Sequence, residues 1–310
     1  MSEISHQISL SVYGVRCRID QYLCDVLRLS RSKIKNRIQE GAILWNGLSV
    51  RPSQIIQHQD KISLFIAPII HTEQMVTELR DNVMIYKDWV VPILHMDDHV
   101  LVIQKPAGLV VHAGPTVNDV SLVDIVLASG ICLPFCDAGR PGIVHRLDQF
   151  TEGVMVLAKT PLALDHLKAQ FKDRKIQKRY YAVLHGSLPS MEGVIDRPIG
   201  RDASVRARQS CQNIVTGSEK EAITKYKVVN KLTNVSFVDI QLVTGRTHQI
   251  RVHFSYLNCP VLGDFLYSRQ PKKKEGYLLQ SYYLGFEHPL SNQCLIFKLP
   301  ISHRLKKYAC

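Results

Sequence analysis

The 310-residue chain contains no run of about 18 apolar residues, the length a helix needs to cross a bilayer, so no membrane span is expected. Met1 to Leu10 lacks the basic start and long apolar stretch of a secretory signal, and a cytoplasmic location is expected. Zinc-finger spacing is missing too. The eight cysteines (Cys17, Cys24, Cys132, Cys136, Cys211, Cys259, Cys294, Cys310) are scattered. Only Cys132 and Cys136 lie close together, with no second Cys or His pair at finger distance. They are read as reduced thiols, and no metal site is expected. There is no Walker A loop, no GxGxxG turn and no internal repeat, which removes the usual motifs for nucleotide cofactors.

What the chain does have is positive charge and enough apolar content for a core. Its 39 Lys and Arg against 27 Asp and Glu give a formal charge of +12. Such a surface attracts polyanions, whether RNA, DNA or an acidic membrane. A hydrophobic content of 45% over this length suffices for one large domain and a small one. Strand-like segments follow one another through short hairpin-like connections rather than long βα alternation. An α+β architecture is therefore predicted: a large mixed, mostly antiparallel sheet with flanking helices, plus a small N-terminal α/β domain.

The chain is organised around residues 140–159, RPGIVHRLDQFTEGVMVLAK. Val144 and Leu147 on one side, and Val154, Val156 and Ala158 on the other, read as two short strands. Between them lie His145, Arg146 and Asp148. A carboxylate drawn out of water there costs several kcal/mol unless a cation pairs with it. It either caps its own loop or has a chemical task.

HRLDQFTEGVMVLAK resembles the catalytic signature of the RluA family of pseudouridine synthases: His-Arg-Leu-Asp, two residues, Thr-Ser-Gly, then an apolar strand. Glu152 stands where that pattern usually has Ser. The resemblance implies that Asp148 is catalytic and that His145, Arg146 and Thr151 bind substrate. Residues 93–112 resemble the first motif of the same family, in which Lys105, Pro106 and Gly108 support the floor of the site. In KRYYAVLHG, strand alternation lets only one of Tyr180 and Tyr181 face the site; the family pattern aligns Tyr180 with the active-site tyrosine. LVTGRTHQIRVH resembles the third motif, and the match makes Arg251 the partner of the Asp, with Arg246 and Gln249 on the substrate side. Within that helical run His248 and His253 are five residues apart and face differently, so no metal pair is expected.

Two helices and a hairpin are predicted near the start. Ile19, Tyr22, Leu23 and Val26 share one helical face, and a second helix begins after Ser30 and stops at Gly41. Asn46-Gly47 marks a hairpin turn. Arg28, Arg31, Lys33, Lys35 and Arg37 make the second helix basic, which suits either a solvated face or a nucleic acid. Residues 16–64 resemble the S-four type (αL) RNA-binding domain, with Gln59 where that family often has Gly before Asp60. The expected division is an RNA-binding domain at 1–66, a linker at 67–91 and a catalytic domain at 92–310. Helix 160–171 should start by the Thr160-Pro161 rule. Residues 196–209 and the run Lys272 to Lys274 read as solvated loops, and GDFLYS at 263 as part of the closing strands.

Pseudouridine formation detaches uracil from ribose and rejoins it through carbon; no atom enters or leaves, so no cofactor is expected. The expected substrate is structured RNA, large-subunit ribosomal RNA first and tRNA second, acted on by a monomer. A glycoside hydrolase would need a second carboxylate, and only Glu152 lies near. A catalytically silent RNA-binding protein would need the basic helix but not the Asp, Tyr and Arg set.

Overall fold

The structure, a computed structural model, describes residues 6–12, 16–27, 31–39, 43–66, 78–80, 82–112, 120–134, 140–268 and 276–309. The chain divides into two compact units, Met1–Met75 with Phe135–Arg140, and Val76–Pro134 with Pro141–Cys310.

The first unit runs β1 (His6–Ser11), β2 (Cys17–Arg18), α1 (Ile19–Leu27), α2 (Arg31–Gln39), β3 (Ile43–Trp45), β4 (Leu48–Ser49), β5 (Ile55–Ile56) and β6 (Lys61–Ile66). One sheet has the order β1-β6-β3-β4, and β2 pairs with β5. The helices form because Ile19 and Leu23 on α1, and Ile34 and Ile38 on α2, recur at helical spacing and bury against Ile43, Ile56 and Ile62. Asn46 and Gly47 have φ of 49° and 83°, the two left-handed positions of a type I′ turn joining β3 to β4. Gln59 also lies in the left-handed region, at φ 71°, a conformation that glycine adopts without cost.

The basic helix is more than a charged face. Asp20 is fully buried, and Arg18 and Arg31 both donate to it, holding its carboxyl well below the usual carboxylate range. Arg31, expected on the substrate, is thus also committed to the fold. Lys33, Lys35 and Arg37 lie within α2, and Lys35 is exposed. Arg28, Ser30 and Gly41 lie outside the described residues, as do Cys136 and the run Lys272 to Lys274.

The second unit opens with β7 (Glu78–Arg80), β8 (Val83–Tyr86), β9 (Trp89–Met96), β10 (Val100–Lys105) and α3 (Leu122–Ala128). Then come β11 (Glu152–Ala158), α4 (Pro161–Lys172), β12 (Gln177–His185), β13 (Glu192–Asp196), β14 (Gly200–Arg201) and β15 (Gln209–Ser210). It closes with β16 (Ile223–Lys231), β17 (Val235–Leu242), α5 (Gln249–Tyr256), β18 (Leu279–Glu287), β19 (Cys294–Lys298) and α6 (His303–Lys306). The sheet order is β13-β16-β17-β12-β18-β11-β10-β9-β8-β7, with β19 on β18. Among the described residues β11 with β18 is its one parallel pair, so the mixed, mostly antiparallel sheet is as predicted. No helix among them is long and apolar enough to cross a membrane.

Several local expectations are corrected. Residues 78–80 and 82–91, read as part of a linker, hold β7, β8 and the start of β9 at the sheet edge, where Met84, Tyr86 and Val91 are buried. Residues 67–77 of that linker lie outside the described set. Val144 and Leu147 are not in a strand; the segment meets β11 through the isolated bridge from Ile143 to Leu157 and the bond from Ala158 N to the Gly142 carbonyl. Residues 263–268 are turns, since Asp264 accepts from the backbone of Leu266 and Tyr267. The 196–209 loop contains the small β14–β15 pair. Thr160 caps α4 through Ala163 N, as its position before Pro161 predicts.

Candidate active site

Asp148 sits at the middle of the sheet because β11 starts four residues later between β10 and β18. Gly153 permits that close approach: a Cβ there would lie 2.0 Å from the Ser281 carbonyl oxygen, and its φ is 122°. The Asp148 loop is fixed from beneath. Thr151 N donates to the Asp148 carbonyl at 3.0 Å, and Gly108 N donates to the Gln149 carbonyl at 2.9 Å. Lys105 is fully buried, and its ammonium donates to the carbonyls of Pro106, Leu109 and Gln149 at 2.7–2.9 Å. Burial lowers its pKa to about 7, opposed by the charges of Asp148 and Glu152. Lys105 and Gly108 thus form a floor, as expected of a structural pair.

Arg251 projects from the first turns of α5. Its Nη1 donates to Asp148 Oδ2 at 3.0 Å, while Nε and Nη2 fork onto Asp264 at 2.7 and 3.1 Å. The guanidinium lies between two aromatic rings, 4.4 Å from the centroid of Tyr277 and 5.0 Å from that of Tyr267. The surrounding anions hold its pKa above the ordinary arginine value despite burial. One cation serves two carboxylates, so Asp264 clamps the arginine and Asp148 receives its free edge.

Tyr180 and Tyr181 separate as strand alternation requires. Tyr180 is buried and lines the cavity, whereas Tyr181 stacks on Tyr282 at 3.8 Å between centroids. Burial raises the Tyr180 phenol to about 12, so it keeps its proton at neutral pH. The cavity holds about 530 Å³ and is lined by Asp148, Tyr180, Arg251, Arg146, Arg246 and Lys178 among others. That is room for a nucleoside with part of its backbone.

The remaining expected residues differ in what they are free to do. Arg146 is exposed at the cavity mouth. Arg246 also lines it, with Nε donating to the Glu221 carbonyl at 2.9 Å. His145 stacks on Phe171 at 4.7 Å and accepts from Val156 N; burial pushes its pKa to about 3, so it is a neutral strut. Thr151 is buried with its hydroxyl toward Tyr277. Gln249, expected on the substrate, is instead spent within the fold. Its Oε1 accepts from Thr244 Oγ1 and Arg246 N, and its Nε2 donates to Ile223 O and Thr224 Oγ1.

Residue-level reading missed Asp264, Tyr267 and Tyr277. An acidic residue inside an otherwise apolar GDFLY run was the available signal for Asp264; nothing local marks the two tyrosines. His248, in the left-handed region at φ 58°, is the residue from which α5 starts, and its Nδ1 bonds the Tyr267 hydroxyl at 2.8 Å. Its Nε2 is 3.8 Å from Asp148 Oδ2. Glu152, in place of the usual Ser, turns away from the cavity: it accepts from Ser302 Oγ at 2.8 Å and Arg304 Nη1 at 3.3 Å. Arg304 Nη2 in turn donates to the Tyr277 carbonyl. Neither Glu152 nor Asp264 lines the cavity, and among the described residues lining it Asp148 is the one carboxylate, whereas hydrolysis of a glycosidic bond uses two.

Comparison with known proteins agrees with this geometry. The family model for RNA pseudouridylate synthase matches residues 99–256. The ribosomal large subunit pseudouridine synthase D of Zymomonas mobilis is 36% identical over 311 residues, covering 94% of this chain and 93% of that relative. An uncharacterized RNA pseudouridine synthase of Bacillus subtilis is 34% identical over 289 residues, covering 92% and 90%. Among solved structures, human RNA pseudouridylate synthase domain containing 4 superposes with a TM-score of 0.54 at 26% identity, covering 69% of this chain and 90% of the other.

Proposed function

Because the chain belongs to the RNA pseudouridylate synthase family and isomerises uridine in RNA to pseudouridine, we propose that Asp148 is the group that acts on the ribose and that the substrate is large-subunit ribosomal RNA. The observation that carries the first part is the ion pair from Arg251 Nη1 to Asp148 Oδ2, on the wall of the cavity that Tyr180 also lines. The carboxylate either attacks the sugar or removes a ribose proton. The cavity wall shields the detached uracil from water, and Tyr180 stacks on it. The second part rests on relatives named as ribosomal large subunit pseudouridine synthase D. Mapping pseudouridines in a strain lacking this protein tests it. Loss of a large-subunit site is expected; loss confined to tRNA overturns it.

A stacked uridine must leave its helix to reach Asp148, at a cost of about a few kcal/mol. Arg146, exposed at the mouth and two residues from Asp148, is placed to fill the gap left behind. A planar guanidinium stacks on bases, which a lysine ammonium does poorly. Arg146→Ala is therefore expected to lower kcat/KM on a structured stem-loop by roughly tenfold to a hundredfold, and much less on a short unstructured RNA. Equal losses on both would mean that Arg146 only braces the loop.

The first unit is assigned to RNA binding, on the basis of its basic α2 and its likeness in sequence to S-four domains. Deleting residues 1–66 is expected to raise KM for the full RNA. It should also flatten the plot of log affinity against log salt, by about 0.7 to 0.9 for each phosphate that the truncated protein leaves unneutralised. An unchanged slope would remove the unit from the interface.

A further inference from the structure

Two residues before Tyr180 on β12, and on the same face of the strand, stands Lys178. It lines the cavity and is only 8% exposed, a degree of burial lysine almost never has without a partner. Its ammonium lies 5.6 Å from the centroid of the Phe171 ring, and a Cβ on Gly245 would be 3.5 Å from it. Among the described residues the carboxylates of this region are committed elsewhere: Asp148 to Arg251, Glu221 to Arg174 and Asp239 to Arg179. The charged group that does act on Lys178 is Arg246, of like sign. Arg246 has its Nε–H on the Glu221 carbonyl and also lines the cavity.

Two neighbouring cations on a cavity wall, one of them nine-tenths buried and without a protein anion, repel each other and are desolvated at the same time. Among the described residues the fold offsets this through the face of the Phe171 ring and through no carboxylate; an anionic ligand would supply the missing countercharge. The anion that RNA brings is the phosphodiester. We propose that Lys178 and Arg246 form the binding site for one backbone phosphate beside the target uridine. This rests on the cavity being where that uridine enters.

The placement explains what the pair contributes. A strand rises about 3.3 Å per residue, so the α-carbons of Lys178 and Tyr180 are about 6.6 Å apart on one face. A phosphate held at the first and a base stacked on the second belong to one nucleotide. Fixing the phosphate gives the extruded base a direction as well as a pocket. Burial and Arg246 lower the Lys178 pKa to about 8, and a bound phosphate would reverse that shift.

The test is a cycle of protein and RNA changes on the full-length enzyme. The probe is a short labelled single-stranded RNA with one central uridine, and binding is read by fluorescence anisotropy. In the RNA, each linkage flanking the uridine is replaced in turn by an uncharged methylphosphonate; in the protein, Lys178→Met removes the charge and keeps all but the last atom of the side chain's length. Either change alone is expected to weaken binding about tenfold. At one of the two linkages, both changes together should weaken it no further. Losses that multiply at both linkages overturn the site, as does a Lys178→Met that binds like wild type. Should Lys178→Met not fold, Arg246→Gln serves in the same cycle with the same two outcomes. A wild-type protein whose binding ignores salt altogether would fail the RNA reading of the cavity, a result distinct from a normal wild-type slope that Lys178→Met leaves unchanged.

Discussion

Asp148→Asn is expected to reduce pseudouridine formation by at least about 10³-fold, within the range for removing a group that moves a proton or attacks in the transition state. The substitution keeps the shape of the side chain and an oxygen that can accept from Arg251 Nη1, now 3.0 Å from Oδ2. The backbone of the loop should hold, because Thr151, Gly108 and Lys105 grip carbonyl groups rather than the carboxylate. RNA affinity should therefore stay within a few-fold. Single-turnover pseudouridine formation, measured beside anisotropy binding, separates the two effects. Turnover within tenfold of wild type would remove Asp148 from the chemistry.

Arg251→Met has the second large effect, on stability and activity together. The side chain is about 95% buried and serves two carboxylates, one of them, Asp264, with no exposure at all. Removing the cation strands Asp264 in the core, and breaking a buried pair from one side costs about 3–5 kcal/mol. A drop in Tm of at most about 2–4 °C per kcal/mol follows, since the shift per kcal/mol shrinks as a chain lengthens. Arg251→Lys should rescue little, because an ammonium cannot fork onto Asp264 and still reach Asp148. Asp264→Asn separates the roles: Arg251 keeps its charge and its bond to Asp148, so turnover should fall less than with Arg251→Met. Thermal melts and rates on the three variants check this; an Arg251→Met that melts and turns over like wild type would show that the pairing has no consequence.

The catalytic-domain motifs were legible because each is short and its chemistry is local. HRLD with its apolar strand marked the Asp148 loop, and the Thr160-Pro161 start and the Asn46-Gly47 turn follow from backbone rules spanning a few residues. Strand alternation required that Tyr180 and Tyr181 part company, and the sequence resemblance selected Tyr180. The structure puts Tyr180 on the cavity and Tyr181 against Tyr282. The edge strands at 78–91 were illegible, since their burial depends on neighbours in the sheet rather than on any strong periodicity of their own.

By itself, then, the sequence determined the polyanion-attracting charge, the α+β class and the segments that bear Asp148, Tyr180 and Arg251. Only the tertiary structure decided which groups those residues meet. Arg251 meets Asp148 across 103 residues of chain and is clamped by Asp264 on a turn read as strand. Gln249 saturates its amide on the fold, and Lys178 is buried with no carboxylate partner among the described residues. The reason is physical. Helix caps and turns are set by backbone groups a few residues apart, which a local pattern encodes. The partner of a buried charge is instead whatever the packed core brings within about 3 Å, and that distance exists only once the chain has closed.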